Sequence, residues 1–106
     1  MEIQMKAKRL RAALLLSVPL MASADNGTVV RDDVCGSDNI IIETDSGWYI
    51  AAEWYGGPVL YEGMRVFGNM ITYGMEDLCN SSGSCGPYWI EDYEYSMSAA
   101  LEEHCD

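Results

Sequence analysis

The apolar positions of this chain alternate with polar ones over short runs, and glycine or proline ends most of the runs. Residues 48–55 alternate with a period of two: one face carries Trp48, Ile50, Ala52 and Trp54, and the other carries Tyr49, Ala51, Glu53 and Tyr55. Successive side chains of a strand point to opposite faces of its sheet. The pattern therefore predicts a strand whose first face lies in the core and whose second face points outward.

The neighbouring segments predict further short strands. Residues 39–44 contain three consecutive isoleucines, and Asp45-Ser46-Gly47 follows as a tight turn, because Asp bonds to nearby backbone and Gly accepts positive φ. Gly56-Gly57-Pro58 ends the next strand, since proline donates no hydrogen bond to a sheet. Short apolar pieces between turns then predict strands at 59–61, 64–67, 70–73 and 88–93.

The two flanks of this strand-rich region have other patterns. Residues 25–38 contain Asn-Gly, the polar run Arg31-Asp32-Asp33 and little apolar periodicity, which predicts a flexible acidic arm pinned near its end by Cys35. At the other flank Ser96 can cap a helix. Its apolar face recurs at three- and four-residue intervals, through Met97, Ala100, Leu101 and His104.

Short strands without helix-strand alternation predict an all-β or β-rich α+β domain over residues 39–106. The expected architecture is a small antiparallel five-stranded barrel or rolled sheet, SH3-like or OB-like in size, with one short C-terminal helix. Residues 59–68 resemble the middle of bacterial SH3-like barrels, where a glycine turn precedes a short valine-rich strand. So short a stretch implies no function.

The first residues of the chain have the composition of an export signal. Four basic residues precede an apolar run over 12–21, and Ala22-Ser23-Ala24 matches the small-x-small pattern that signal peptidase accepts. The run is about half of the roughly 20 residues that cross a bilayer. We predict a signal peptide over residues 1–24, cleavage before Asp25, and a mature chain that is periplasmic or extracellular and not embedded in the membrane.

Cleavage makes the charge of the mature chain strongly negative. Of the six basic residues only Arg31 and Arg65 remain, and of the 17 acidic residues only Glu2 is lost, so two cations face 16 anions and the net charge is −14. Such a field repels nucleic acid and anionic lipid and attracts basic proteins. We therefore expect no nucleic-acid partner. The negative charge either keeps the protein soluble and no more, or forms an acidic recognition surface.

The four cysteines all lie in the mature part, and an even number in a short exported chain predicts a disulfide framework. Three pairings are possible. Cys79 and Cys85 flank the turn-rich loop Asn80-Ser81-Ser82-Gly83-Ser84, which favours pairing them and leaves Cys35 for Cys105. Closing the long loop stabilises the fold by roughly 4 kcal/mol, and closing the short one by roughly 2 kcal/mol, as upper-end values.

Several chemistries are disfavoured by the residues present. His104 is the single histidine, and no serine lies in a G-x-S-x-G context, so nucleophilic catalysis is not expected. Cys79, Cys85, His104 and Cys105 are zinc-ligand types, yet their spacing is not that of structural zinc sites. We expect no metal and no cofactor.

Carboxylates and aromatic rings remain as candidate recognition groups. Two acidic clusters stand out: Asp32, Asp33 and Asp38 around Cys35, and Glu91, Asp92 and Glu94 beside Tyr93 and Tyr95. Either cluster is also typical of a solvated acidic face. Tyrosines beside carboxylates on an open strand face can stack on sugars or on cationic side chains.

These features favour a monomeric, non-enzymatic binding or accessory domain for a cationic protein or a cell-envelope polymer. The candidate binding residues are Tyr49, Glu53, Tyr55, Glu91, Asp92 and Glu94. One alternative is a small hydrolase using Glu91, Asp92 and Glu94, since paired carboxylates in a cleft can cleave a glycosidic bond. Another is a structural envelope component with no defined ligand.

Overall fold

The computed structural model describes residues 24–105. Six strands come first and one helix follows: β1 Asp25–Arg31, β2 Asn39–Thr44, β3 Tyr49–Trp54, β4 Arg65–Gly68, β5 Gly74–Cys79, β6 Cys85–Glu94 and α1 Met97–Cys105. The predicted signal peptide lies outside the described residues, apart from Ala24. Over residues 24–105, no helix is long and apolar enough to cross a bilayer.

The strands close into a barrel in the order β1-β2-β3-β6-β5-β4, and every neighbouring pair is antiparallel. Two three-stranded meanders, β1 to β3 and β4 to β6, are thus joined edge to edge. Closure leaves no free sheet edge, which stabilises a domain of this size. The prediction of a small antiparallel barrel with a C-terminal helix is confirmed, with six strands in place of five.

Two strands lie in segments for which no strand was predicted: β5, and β1 in the segment predicted as a flexible arm. Residues 25–31 form β1, which pairs with β2 on one side and β4 on the other and closes the barrel. Local periodicity is weak there because only Val29 of the strand's apolar side chains enters the core, at 1% exposure. Pairing on both sides, with β2 and with the distant β4, rather than a local apolar pattern, makes this segment a strand.

The core face predicted for the third strand is confirmed. Ile50 and Ala52 are fully buried inside the barrel, and Trp48 and Trp54 pack against the same cluster from its two ends. The turn predicted at Asp45-Ser46-Gly47 joins β2 to β3, with Gly47 at φ 102°. Positive φ is the conformation that favours glycine in such a turn.

Two of the predicted strands are loops in the structure, at 59–61 and 70–73. Leu60 and Met70 are nevertheless fully buried in the barrel core. Their backbone N–H groups donate to side chains instead of to a neighbouring strand: Leu60 N to the Tyr88 hydroxyl at 3.0 Å, and Met70 N to Asp25 Oδ2 at 2.9 Å. Apolar residues can therefore fill the core without belonging to a hydrogen-bonded strand pair.

Helix α1 covers the outer side of β2, β3 and β6, and it is capped by Ser96 Oγ, which accepts from Ala99 N at 3.2 Å. Ala100 is buried against Ile41 and Val34 in a second apolar cluster. Both predicted disulfides are formed, Cys35–Cys105 and Cys79–Cys85. Two disulfides indicate folding in an oxidising compartment outside the cytoplasm.

Candidate functional site

A cavity of about 240 Å³ opens at the end of the barrel where β2 begins, β3 ends and β6 begins. We call this the cavity end. Two connections, β1–β2 and β3–β4, and the ends of three strands supply its walls, which are lined by Asp32, Asp33, Ser37, Asp38, Ile40, Trp54, Val59, Leu60, Tyr61 and Tyr88. Carboxylates and aromatic rings therefore face a common space.

Tyr88 is a fully buried part of the cavity wall. Its hydroxyl accepts from Leu60 N at 3.0 Å and donates to Pro58 O at 3.4 Å. Burial raises the pKa of the Tyr88 phenol, so the hydroxyl keeps the proton that it donates. The ring thereby ties the β3–β4 connection to β6 and fixes one side of the cavity.

Glycines let the β3–β4 connection approach β6 closely enough to form this wall. A β-carbon at Gly86 would lie 2.6 Å from the Gly56 carbonyl oxygen and 2.9 Å from Gly57 Cα. Gly57 itself has φ 70°, a conformation that favours glycine. The sequence predicts only that Gly56-Gly57-Pro58 ends a strand; the close approach to Gly86 depends on the tertiary fold.

The acidic rim of the cavity comes from the connection between β1 and β2. Asp32 Oδ2 accepts from Glu62 N at 3.0 Å, which joins the two connections that border the opening. Asp33 and Asp38 are exposed. Neither is in an ion pair within residues 24–105, where Arg65 is bound to Asp45 at 2.8 Å. Their negative charge is therefore available to a cationic ligand.

The three candidate residues of β3 and its end are not brought together as one free face. Tyr49 packs against the apolar cluster under α1, and its hydroxyl donates to Glu43 Oε2 at 3.4 Å. Glu53 is half-buried and lies opposite Trp89 on β6. Tyr55 is 56% exposed just beyond β3, on the same end of the strand as the cavity-lining Trp54.

The second candidate cluster lies beneath α1. Asp92 and Glu94 are joined by Glu103 of the helix, and one carboxylate oxygen from each lies within 4.8 Å of the others. A hydrogen bond to Asp92, together with partial burial and the negative charge nearby, raises the pKa of Glu94 to about 7. Desolvation and the negative charge of Asp92 likewise raise the pKa of Glu103. These three oxygens could supply part of a calcium shell, which takes 6–8 oxygens.

Asp92 is the ionised partner in this cluster. Partial burial acts to raise the pKa of Asp92, but hydrogen bonds from Glu94, from the Tyr93 backbone N–H and from further neighbours outweigh it and lower the pKa. The Tyr93 N–H donates to Asp92 Oδ1 at 2.8 Å. At pH 7 the pair therefore holds about half a proton, mostly on Glu94, and it holds a full shared proton only at lower pH.

Glu91 points to a different neighbour. Its Oε1 lies 3.8 Å from Nδ1 of His104, whose side chain is fully buried. His104 Nε2 donates to the Ile40 carbonyl oxygen at 2.9 Å, since a carbonyl oxygen can only accept. Nδ1 has no hydrogen-bond partner. His104 thus holds the end of α1 to β2.

Aromatic rings pack on one another at the opposite end of β3, where β2 ends and β6 ends. We call this the aromatic end. Trp48 stacks on Tyr95 at a centroid distance of 4.6 Å and meets Tyr93 edge-on at 5.3 Å. Tyr73 lies 5.0 Å from Tyr93, and a hydrogen bond with Tyr93, together with burial and the charge of Asp92, raises the pKa of Tyr73 to about 12.

Sequence reasoning found the aspartates of the cavity but missed its aromatic walls. Asp32, Asp33 and Asp38 stand out as a cluster along the chain, whereas Trp54, Tyr61 and Tyr88 come from three separate segments. The available signal was the paired glycine before Pro58, which marks a close backbone approach. This signal does not locate the cavity, because the sequence does not show that Gly86 is the residue that Gly56 and Gly57 approach.

Comparison of the chain with protein-family models, with curated proteins and with solved structures found no match.

Proposed function

We propose that the chain is an exported, non-enzymatic binding domain whose acidic and aromatic surface holds a cationic protein. The observation that carries the proposal is the cavity, in which unpaired aspartates and aromatic side chains share one space. Carboxylates attract a cationic side chain, and aromatic faces add a cation–π contribution. A binding domain uses such a cavity without any reactive group.

The charge of the mature chain supports a protein partner. A net charge of −14, from 16 acidic and two basic residues, attracts basic proteins from a distance and accelerates their association at low salt. A cell-envelope polymer is the other ligand class expected from the sequence. An anionic polymer would be repelled by the same field, which favours the basic protein.

The proposal of export is supported by the disulfides and by the position of β1. Disulfides persist outside the cytoplasm. Strand β1 begins at Asp25, the first residue after the predicted cleavage site, so cleavage leaves every strand of the barrel intact. N-terminal sequencing of the protein recovered from the exported fraction should begin at Asp25, and recovery of Met1 there would contradict the proposal.

Binding is tested with the disulfide-intact mature protein against a panel of small basic proteins, including muramidases, with acidic proteins of similar size as controls. We expect at least one basic protein to bind at 0.01 M salt and to bind more weakly at 0.15 M, because the Debye length falls from about 30 to about 8 Å. Binding of the mature protein to insoluble envelope polymer is measured in parallel. Absence of any basic binder at 0.01 M salt would overturn the proposal.

Two substitutions test whether binding uses the surface predicted from the sequence, which contains Glu53 and Tyr55. Glu53→Lys should weaken binding with a strong salt dependence, because it introduces repulsion. Tyr55→Ala should weaken it with little salt dependence, because an exposed ring acts by stacking and burial. Binding that is indifferent to both substitutions would exclude this side of the barrel.

The hydrolase remains a second candidate because one observation favours it. The pKa of Glu94 is raised to about 7 while that of its neighbour Asp92 is lowered, and carboxyl pairs with separated pKa values serve as acid and base in glycosidases. The mature protein should then release reducing sugar from envelope polysaccharide, and Glu94→Gln should abolish the release. We expect no release from either protein.

A further inference from the structure

We propose that the cavity holds a single arginine side chain presented by the basic partner. This inference rests on the proposed function and names the group that the cavity recognises. The size of the cavity, the chemistry of its walls and the unpaired charge at its rim all favour an arginine.

The size of the cavity fits one side chain. Its volume is about 240 Å³. Pockets for drug-sized ligands span about 300–1,000 Å³. A folded polymer segment or a cofactor would therefore not enter, whereas one long side chain can extend past the rim toward Tyr88.

The apolar walls suit the stem and the flat face of an arginine. Trp54, Tyr61 and Leu60 line the cavity, and Tyr61 is 59% exposed at its opening. A guanidinium is planar, is weakly hydrated and stacks on aromatic faces, whereas the lysine ammonium is compact and strongly hydrated. The aromatic walls thus favour arginine over lysine.

The rim supplies acceptors for the guanidinium N–H groups. Asp33 and Asp38 line the cavity and form no ion pair within the described part of the chain. Asp32 uses Oδ2 for Glu62 N and has its other oxygen, Oδ1, without a partner among residues 24–105. Carboxylates accept paired hydrogen bonds from the guanidinium fork, which a lysine cannot provide.

Backbone contacts hold this arrangement ready before a ligand arrives. The Asp32 contact to Glu62 N ties the rim to the β3–β4 connection, and the Tyr88 hydroxyl ties that connection to β6. Trp54 Nε1 donates to Gly57 O at 3.2 Å, which restrains the indole. A preorganised site avoids much of the entropy cost of ordering its walls on binding.

The first experiment maps small probes by NMR on the isotope-labelled mature protein. N-acetylarginine methylamide should shift the Trp54 indole N–H and the Leu60 and Tyr61 amides. The matched lysine compound should bind about twofold to fivefold more weakly, which is the share expected of one exposed cation–π contact. The citrulline compound, which has the shape of arginine without its charge, should produce no saturable shift. Shifts that map elsewhere, or equal shifts with citrulline, would overturn the inference.

The second experiment uses variants and a basic protein found in the binding panel. Asp38→Asn and Tyr61→Leu should each weaken its binding, and Asp77→Asn, which removes an exposed carboxylate on β5 outside the cavity, should leave it unchanged. All three residues are exposed, so the variants are expected to fold. Circular dichroism and the Trp indole spectrum check this.

The outcomes separate this inference from the proposed function. Salt-sensitive binding of basic proteins that ignores Asp38→Asn and Tyr61→Leu would refute the arginine site and leave the proposed function standing. Loss of all basic binders at 0.01 M salt would refute the proposed function. Weakening by both variants, with citrulline inactive, supports the arginine site.

Discussion

The two ends of β3 carry the same kinds of side chain and use them differently. At the aromatic end, Trp48 packs on Tyr93 and Tyr95, and the nearby carboxyl groups of Asp92 and Glu94 are hydrogen-bonded to each other. At the cavity end, about 20 Å further along the strand, Trp54 faces a space bordered by unpaired aspartates. Rings that pack on one another contribute to stability, whereas rings that line a cavity are available to contact a ligand.

The difference follows from what each end is packed against. Helix α1 begins at the aromatic end, close to the end of β6, and brings Glu103 over Asp92 and Glu94. At the cavity end the β1–β2 and β3–β4 connections line the space, and no residue of α1 is among its lining residues. Substitutions at the two ends should therefore separate stability from binding.

The largest effect is expected from the long disulfide, which anchors the acidic rim of the cavity end. Replacing Cys35 and Cys105 together by serine should lower the free energy of unfolding by about 4 kcal/mol, because the unfolded chain regains the entropy of a long loop. Denaturant unfolding measures it. The matched control, Cys79→Ser with Cys85→Ser, should cost about 2 kcal/mol, and a larger cost for the control would contradict this account.

Closing the glycine contact should have the next largest effect. Gly86→Ala places a methyl group 2.6 Å from the Gly56 carbonyl oxygen, so the β3–β4 connection must move. We expect a loss of about 3 kcal/mol, the upper end for overpacking, together with weaker binding of the arginine probe. In the control Gly83→Ala the β-carbon meets nothing within 4 Å, and only the cost of positive φ, about 1 kcal/mol, is expected. Equal losses would refute the close approach.

A smaller effect should appear when the aromatic end is altered. Trp48→Leu keeps an apolar side chain but removes two aromatic contacts, each worth about 0.5–1.5 kcal/mol. We expect about 2 kcal/mol of lost stability with binding of basic protein unchanged. Tyr61→Leu at the cavity end should show the reverse, with stability within about 0.5 kcal/mol. Loss of binding in Trp48→Leu would break the distinction between the two ends.

The smallest effect concerns pH. The pKa of Glu94 in the folded protein is about 7, above its ordinary value of 4.5, so its contribution to stability is complete below about pH 4.5 and is lost as the pH rises through 7. Asp92, whose pKa is lowered, acts in the opposite direction and only on acidification below 3.8. The free energy of unfolding should therefore fall between pH 4.5 and pH 7.

Glu94→Gln should flatten this dependence, since glutamine keeps a hydrogen-bond donor for Asp92 and does not titrate. At pH 8 the variant should be the more stable protein, and at pH 4 the two should be alike. Asp77→Asn serves as the control and should leave the slope as it is. A Glu94→Gln variant with the slope of the original protein would show that the carboxyl pair is not coupled.

Much of the fold was predictable because its signals are local. The isoleucines of β2, the period-two pattern of β3 and the Ser96 cap act within a few residues, and the structure has each of these elements close to its expected place. The cysteine pairing followed from the turn-rich loop between Cys79 and Cys85. The errors are β1 and β5, which were not predicted as strands, and the loops around Leu60 and Met70, which were.

The candidate sites were predicted less well for the same reason. Glu91, Asp92 and Glu94 are adjacent in sequence, yet Glu91 faces His104 while the other two meet Glu103. The glutamate of the helix was not among the candidates. A bulge in β6, where the pairing with β3 shifts register at Ala51 and Ala52, changes the direction of the side chains within this short run.

The sequence by itself determined the residue types of this protein and predicted its local elements: 17 acidic against six basic residues, four cysteines that can form two disulfides, and short strands ended by glycine. These follow from residue types and near neighbours. Only the tertiary structure decided that β1 closes the barrel and that Trp54, Tyr61 and Tyr88 meet three aspartates around one cavity. Such meetings join residues far apart in the chain, because long-range packing and backbone contacts between glycines, rather than local preference, fix the distance between them.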